Sequence, residues 1–203
     1  MKKYIVCAML SILLVFSTGC AESQGIESQT SGTKPQTSGA LHHVTIDVKD
    51  YGTIFVELDG ANAPISTDNF ISLAKDGFYD GLTFHRIISG FMIQGGDPDG
   101  NGKGGSGSTI KGEFSLNGVK NPLSHTRGAI SMARSQDYDS ASSQFFIVQK
   151  DNPRLDGQYA VFGYVTKGMD IVDKICEDTP VVDNNGTVEK ENQPVITSIK
   201  VID

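Results

Sequence analysis

Apolar and polar residues alternate through much of the chain after residue 41, and this pattern predicts short strands. Val44, Ile46 and Val48 alternate with polar neighbours, and a second run, 53–58, does the same after a short polar turn. Alternation places every second side chain on one face, so these runs predict a hairpin of two half-buried strands. Further runs predict strands at 84–88, 91–94, 109–114, 125–132, 144–149, 159–165 and 195–202.

Two segments have helical spacing instead. Pro64 opens the first, Phe70, Leu73 and Ala74 recur on one face, and Gly77 ends it. The second covers 168–177, with apolar residues at similar spacing. Many short strands with only two helices favour a mainly β fold, a closed antiparallel barrel.

The N-terminal 20 residues have the pattern of a secretory signal. Lys2 and Lys3 precede an apolar run over 5–16, which is too short for a comfortable membrane span. Cys20 follows small residues and resembles the lipidated cysteine of bacterial lipoproteins, although Ser17 stands where that motif usually has Leu. This predicts a lipid anchor at Cys20 and an extracytoplasmic location, on the outer face of the cell membrane or the periplasmic side. The alternative is an ordinary cleaved signal with an incidental cysteine.

Residues 21–40 are mostly Ser, Thr, Gln, Gly and Ala and predict a flexible tether, because such a segment buries too little apolar surface to offset its ordering entropy. Residues 41–203 have the length of one ordinary domain. Loss of the signal would remove Cys7, and lipidation would use Cys20. Cys176 would then be the single free thiol, which leaves no disulfide framework.

The charge balance argues against nucleic acid as a partner. The chain has 17 Lys+Arg and 24 Asp+Glu, and loss of the signal removes two lysines and no acids, so the mature balance is 15 − 24 = −9. No basic stripe is available to displace the counterions of nucleic acid. With no separate oligomerisation segment visible, we expect a monomer.

The glycine-rich segment 97–108 contains two tempting motifs. Gly100, Gly102 and Gly105 match a dinucleotide fingerprint, but a strand rather than a helix is predicted to follow. Asp97, Asp99 and Asn101 match half of a calcium loop, whose closing acid is replaced by Ser108. A flexible excursion at the mouth of a β-fold is the favoured interpretation, and no metal or cofactor is predicted.

The most unusual segment is FHRIISGFMIQGGD, 84–97, which places Arg86 among large apolar residues and ahead of Gln94. Alone, it is typical of an arginine covering core aromatics. Three further segments change that interpretation: GAISMAR at 128–134, SQFFIVQ at 143–149 and LDGQYAVFG at 155–163. In this order and spacing, the four segments resemble the cyclophilin family of peptidyl-prolyl isomerases, over essentially all of 42–203.

The resemblance implies a closed eight-stranded antiparallel barrel capped by two short helices, with a substrate groove on an outer face. It implies an isomerase that needs no cofactor and acts on proline-containing polypeptides. Arg86, Phe91 and Gln94 would be catalytic, with Gln94 and the backbone at Arg134 holding the flanking peptide. The substrate-binding positions carried over are Met92, Ala133, Arg134, Phe146, Leu155 and Tyr159. Phe145 would face the core.

Two positions depart from the family's best-known members. Arg154 stands where they have the Trp that supports cyclosporin binding, and Tyr159 stands where they have a groove His. Arg86 is retained, so the departures concern drug binding and one contact rather than catalysis.

Arginine suits this chemistry. Rotation about an Xaa-Pro bond faces a barrier of roughly 18–20 kcal/mol, set by amide resonance. The prolyl nitrogen becomes a lone-pair acceptor only in the twisted transition state, so an adjacent Arg86 would bind that state selectively. Against hydrolysis, Ser131, Ser142 and Ser143 lack a nucleophile-elbow context. We expect His85 and His125 to be structural, with rings bonded to backbone.

Two functions therefore follow from the sequence. The first is a lipid-anchored isomerase acting on secreted or envelope proteins as they fold. The alternative is a non-catalytic chaperone or scaffold module that binds Pro-containing peptides. Retention of Arg86 favours the enzyme, because a pure binder has no need of it.

Overall fold

The structure, a computed structural model, describes residues 40–203. The predicted signal, the Cys20 lipidation site and all of the tether except Ala40 lie outside the described residues. Eight strands and two helices follow one another as β1 (Leu41–Val48), β2 (Gly52–Asp59), α1 (Pro64–Lys75), β3 (Thr83–Ile88), β4 (Met92–Asp97), β5 (Ala129–Met132), β6 (Phe145–Val148), β7 (Val161–Lys167), α2 (Met169–Asp178) and β8 (Ile196–Val201).

The strands form one antiparallel sheet in the order β3-β4-β6-β5-β7-β2-β1-β8. The sheet curls into a half-barrel and stays open, so the prediction of a closed barrel is wrong. The edge strands β3 and β8 share no ladder, and a single bridge, Thr83 to Val195, lies where the two edges approach.

An irregular segment, 185–195, covers the free edge of β3 instead of β8. The Ile87 N–H donates to the Gly186 carbonyl (2.8 Å), and the Phe84 N–H donates to the Pro194 carbonyl (2.9 Å). The Val188 N–H donates to the His85 carbonyl (3.1 Å). Because an edge strand exposes unpaired backbone groups, this segment satisfies them and leaves β8 to pair with β1.

The predicted strand at 109–114 is also wrong. It forms only an isolated bridge between Ile110 and Ala141. Glu113 turns inward instead, and its carboxylate accepts hydrogen bonds from the Ile65 N–H (3.0 Å) and from the Ser66 N–H and hydroxyl (both 2.7 Å). The segment therefore bonds to the start of α1 and does not pair with the edge of a sheet.

Apolar side chains bury themselves on both faces of the sheet. The larger cluster includes Phe70 of α1, whose ring lies 5.3 Å from those of Phe145 and Phe162. Alternation sends the neighbouring Phe146 to the other face, where it joins a smaller cluster with Met92 and Val148. The smaller cluster forms the floor of the site described next. Within residues 40–203 no helix is long and apolar enough to cross a bilayer.

Candidate active site

A groove of about 630 Å³ lies over the smaller cluster. It brings together all nine residues that the sequence predicts for the site: Arg86, Phe91, Met92, Gln94, Ala133, Arg134, Phe146, Leu155 and Tyr159. They come from β3, β4, β6, the β3–β4 turn that carries Phe91, and the segments that follow β5 and precede β7. Sheet pairing makes this possible, because β4 lies between β3 and β6.

The groove floor is apolar and closely packed. Met92 and Phe146 are almost completely buried, with 1% and 5% of their surfaces exposed, whereas Phe91 and Leu155 are only partly buried. Two fixed side chains and two more accessible ones thus form a shallow cup. Such a cup is suited to a small, rigid, apolar ring.

Phe146 is held between two other rings. His125 stacks on it with 5.9 Å between centroids and 12° between planes, and Tyr159 meets it edge-on at 6.0 Å. His125 is itself fixed by Asp156 Oδ1 at 2.8 Å from Nδ1 and by Ser131 Oγ at 3.1 Å from Nε2. The predicted structural role therefore fits this position, but the ring's partners are side chains rather than backbone. Burial lowers the pKa of His125, against the opposing effect of Asp156.

Arg86 projects from β3 at the edge of the cup. Its Nε donates to the Asn185 carbonyl (2.8 Å), Nη1 to Gln94 Oε1 (3.1 Å) and Nη2 to Asn185 Oδ1 (3.3 Å). A guanidinium has five N–H groups, so within residues 40–203 two of Arg86 remain without a protein acceptor. Partial burial lowers the pKa of Arg86, while Tyr159 and Asp183 act in the opposite direction. The group stays charged, because arginine keeps its proton in proteins.

Gln94 links Arg86 to a chain of amides. Its Nε2 donates to Gln144 Oε1 (2.9 Å), and Gln144 Nε2 donates to the Gly104 carbonyl (2.9 Å). Acceptance from Arg86 and donation to Gln144 fix the orientation of the Gln94 amide. A smaller cavity of about 180 Å³ adjoins the groove beyond Lys103, and serine hydroxyls and glutamine amides line it together with Lys103 and Arg134.

Arg134 braces the opposite wall. Its guanidinium carbon lies 4.6 Å from the ring centroid of Tyr159 and 5.0 Å from those of Phe114 and Tyr138. Nε and Nη2 both donate to the Gln158 carbonyl, at 3.0 and 2.8 Å. The side chain is thus committed to holding its own wall, so the part of Arg134 suited to a ligand is its backbone.

Several lining residues were not predicted: His85, Gly100, Asn101, Gly102, Lys103, Asn185 and Thr187. His85 is 5% exposed, and neither ring nitrogen has a partner among the described residues, so the predicted backbone bond is not found. Burial lowers the pKa of His85, Asp97 opposes that shift and Arg86 adds to it. The sequence around His85 gives no sign of this environment, because Gly102 of the glycine-rich loop lies against the ring only in the folded chain.

The glycine-rich loop folds around Asp97. Burial acts to raise the pKa of this carboxyl, but N–H bonds from Asp99, Asn101, Gly102 and Gly104 outweigh it and the pKa is lowered. The Asp97 carboxylate thus accepts hydrogen bonds from the backbone, whereas in a calcium loop it would face the ion. Among residues 40–203, no cluster of three or more His, Cys, Asp and Glu is placed to hold a metal.

No activated nucleophile faces the groove from the described residues. Cys176 is buried in α2, and burial raises the pKa of its thiol to about 12. Ser131 and Ser143 are fully buried, and the Ser143 hydroxyl donates to the Gly96 carbonyl (2.7 Å). The geometry offers an apolar cup with the oriented guanidinium of Arg86 at its edge, which suits binding and electrostatic stabilisation rather than bond cleavage.

Comparison with known proteins gives a consistent result. The family model described as cyclophilin type peptidyl-prolyl cis-trans isomerase/CLD matches residues 43–201. A Helicobacter pylori peptidyl-prolyl cis-trans isomerase is 48% identical over 126 residues, covering 61% of this chain and 74% of its own. Peptidyl-prolyl cis-trans isomerase B of Bacillus subtilis is 45% identical over 144 residues, covering 71% of this chain and 92% of its own.

Solved structures agree. A Cryptosporidium parvum cyclophilin type peptidyl-prolyl cis-trans isomerase, crystallised in the presence of the dipeptide Ala-Pro, superposes with a TM-score of 0.69 and 32% identity. The match covers 79% of this chain and 99% of that one.

Proposed function

The chain belongs to the cyclophilin-type peptidyl-prolyl cis-trans isomerase family, and from that premise we propose that it rotates Xaa-Pro bonds in the Arg86 groove, on proteins that fold outside the cytoplasm. One observation carries the assignment of the site. Arg86, with two N–H groups that find no acceptor within residues 40–203, lies in the same groove as the cup formed by Phe91, Met92, Phe146 and Leu155.

The reaction needs no covalent step. In the planar amide, resonance draws the prolyl nitrogen's lone pair toward the carbonyl, and the barrier to rotation is roughly 18–20 kcal/mol. Twisting frees that lone pair. A guanidinium N–H of Arg86 then donates to it, so the contact exists in the transition state and is absent in both ground states.

The cup supplies the fixed half of the rotating bond. We assign Phe91, Met92, Phe146 and Leu155 to the proline ring, with Tyr159 bracing Phe146 from the side. A seated ring excludes water from the guanidinium, which strengthens the Arg86 contact in the lower local dielectric. The peptide on the amino side of the bond is then the half that turns.

Two further groups hold the flanking peptide in this proposal. The Gln94 amide is oriented by Arg86 and Gln144, so one face is preset toward the groove. The backbone beside Ala133 and at Arg134 supplies main-chain hydrogen bonds. The substrate class is a proline-containing polypeptide, in keeping with the Ala-Pro dipeptide present with the Cryptosporidium parvum relative.

The proposed cellular location rests on the N-terminal sequence. Lys2, Lys3, the apolar run and Cys20 after small residues support a lipid anchor, and 21–40 supports a tether between the lipid and the isomerase domain. We expect cells grown with radiolabelled palmitate to label the wild-type chain and not Cys20→Ala. Labelling that survives in Cys20→Ala, or is absent from wild type, would overturn the anchor while leaving the enzyme untouched.

The folding role has its own test. Prolyl isomerisation limits refolding on a scale of about 10–100 s for proteins with a native cis-proline. The purified protein should accelerate the proline-limited phase of a secreted protein, and Arg86→Ala should not. Equal acceleration by wild type and Arg86→Ala would remove the assignment of the site.

A further inference from the structure

Arg86 depends on a residue far away in the chain for two of its three protein acceptors. Asn185 lies 99 positions from Arg86, yet its carbonyl accepts from Nε and its side-chain Oδ1 accepts from Nη2. These two bonds meet adjacent N–H groups along one edge of the planar guanidinium. Gln94 on the neighbouring strand accepts from Nη1, so the group is held from two directions.

The turn that carries Asn185 is tightly built. The Asp183 carboxylate accepts from the N–H groups of Asn185 (2.9 Å) and Thr187 (3.0 Å) and from the Thr187 hydroxyl (2.8 Å). The Val182 N–H donates to the Thr187 carbonyl at 2.9 Å, which closes the turn. A hydrogen bond from the Thr187 backbone is the main cause that lowers the pKa of Asp183, so the carboxylate stays ionised at neutral pH.

The same turn is fixed to the strand that bears Arg86. The Gly186 carbonyl accepts from the Ile87 N–H, and Thr187 forms a bridge with Arg86 itself. Gly186 has φ +81°, and a Cβ there would lie 2.3 Å from the Ile87 carbonyl oxygen. Only glycine permits this close approach, so the backbone sets the position of Asn185 relative to Arg86.

Such support matters because an arginine side chain has several rotatable bonds. A guanidinium that must find its orientation during the reaction loses rotamer entropy in the transition state, whereas one already oriented does not. The Asn185 contacts leave the cup and the peptide-binding backbone untouched. Their effect should therefore fall on the rate of rotation and not on the affinity for peptide.

We propose that Asn185 is a positioning residue for the isomerase reaction, and that the turn 182–187 presents Arg86 to the prolyl nitrogen. This inference rests on the proposed role of Arg86. Asn185 acts through Arg86 and need not touch substrate. The Asn185 side chain is exposed, so its removal leaves the core intact.

The experiment compares wild type with Asn185→Ala, Asn185→Asp and Asn184→Ala in the full chain, using an Ala-Pro-containing peptide followed by NMR exchange. Asn185→Ala loses one acceptor, Oδ1, and keeps the carbonyl, so kcat should fall about 3- to 10-fold with peptide affinity unchanged. Asn185→Asp retains an oxygen at that position and should recover most of the rate. Asn184→Ala is the matched control: the same residue type, adjacent and exposed, outside the groove, and expected to match wild type.

A variant cycle separates a positioning role from a merely structural one. In an Arg86→Ala background, Asn185→Ala should cause no further loss, because nothing remains to be positioned. The inference is overturned if Asn185→Ala lowers kcat in the Arg86→Ala background by as much as it does in wild type. It is also overturned if Asn185→Ala leaves kcat unchanged, or if it weakens only the affinity for peptide. If Arg86→Ala itself kept wild-type activity, the proposed function of the groove would fail instead, so the two failures are distinguishable.

Discussion

At the scale of single residues, the apolar cup of the groove consists of buried side chains, which are fixed, and partly exposed ones, which a ligand can cover. Met92 and Phe146 are buried by their neighbours, and their surfaces are set before any ligand arrives. Phe91 and Leu155 keep part of their surfaces exposed and stand ready to be covered by a ring. Burial of this remaining apolar surface is what should drive peptide binding.

Replacing Phe91 tests that assignment. Phe91→Ala removes accessible cup surface while the backbone bond between the Gln149 N–H and the Phe91 carbonyl (2.7 Å) remains. We expect peptide affinity to fall about tenfold, which corresponds to ~1.4 kcal/mol of lost apolar contact. Titration of a proline peptide by NMR measures it. Phe55→Ala, a partly buried phenylalanine outside the groove, is the control, and an equal loss there would contradict the assignment.

The sequence identifies groove residues only where they lie within segments of recognisable sequence. Arg86, Phe91 and Gln94 lie within one segment of 14 residues, and Phe146 and Leu155 lie within two others of recognisable sequence. Asn185 was missed because it lies in a polar, exposed loop whose contact with Arg86 depends on how the chain returns to β3. For His85 the sequence predicts a bond to backbone, and only the packed structure shows its ring without a partner among the described residues.

The two buried histidines predict a pH dependence of stability. Burial lowers the folded-state pKa of both His85 and His125 below the ordinary 6.5, so the unfolded chain binds more protons in that range. Stability is therefore complete above about 6.5 and is lost as the pH falls toward the folded-state values. Asp97 and Asp183, whose pKa values are lowered from 3.8, act only at more acidic pH.

Urea unfolding between pH 7.5 and 5.5 measures this dependence. The free energy of unfolding should fall with pH in wild type. It should change much less in the variant with His85→Gln and His125→Gln, although that variant starts from a lower stability. A free energy that stays constant or rises in wild type as the pH falls would rule the account out.

At the scale of elements, α1 owes its start to a residue remote in sequence. Pro64 occupies its first turn, as the sequence predicts, but no local side chain caps the helix. Glu113 does so from 47 or 48 positions away, with 1% of its surface exposed. The helix is predictable from apolar spacing and Pro64. The strand predicted at 109–114 is wrong because the bonding of Glu113 to α1 is remote in sequence and leaves no periodic signal.

Glu113→Ala tests this remote cap. It leaves the two buried Ser66 donors and the partly buried Ile65 N–H at the start of α1 without their acceptor, which should lower the free energy of unfolding by about 2–3 kcal/mol. Denaturant unfolding gives the value. The exposed Glu189→Ala should stay within about 0.5 kcal/mol of wild type. A Glu113 variant as stable as that control would show that the carboxylate contributes nothing.

At the scale of the whole molecule, segment 185–195 covers the free edge of the open half-barrel and also contributes residues to the groove. It satisfies the edge of β3, and from the same stretch Asn185 reaches Arg86. Gln193 connects this segment to its surroundings: its Nε2 donates to the carbonyls of Gly100 (2.9 Å) and Val188 (3.0 Å). Alternation indicates most of the strands, and the family resemblance implies eight in antiparallel pairing. A loop in place of closure was not predictable, because that choice rests on tertiary hydrogen bonds.

Gln193→Ala should loosen this edge. Gln193 is 7% exposed, and its loss leaves the buried Val188 carbonyl, the partly buried Gly100 carbonyl and the Thr83 hydroxyl short of a partner, which should destabilise the fold by about 1–3 kcal/mol. Amide exchange of Phe84 and Ile87, whose N–H groups bond to the segment, should speed up more than that of β1. The exposed Gln136→Ala is the control. Exchange that rises equally across the sheet would contradict a local role.

The most direct measurement of the central claim is the cis-to-trans rate of an Xaa-Pro peptide with wild type and Arg86→Ala, alongside the peptide's affinity for each. If Arg86 stabilises the twisted bond, wild type accelerates rotation strongly, and Arg86→Ala loses about 100-fold or more while binding the peptide almost as well. If wild type binds the peptide without accelerating rotation, or Arg86→Ala keeps the wild-type rate, the groove does not work in this way.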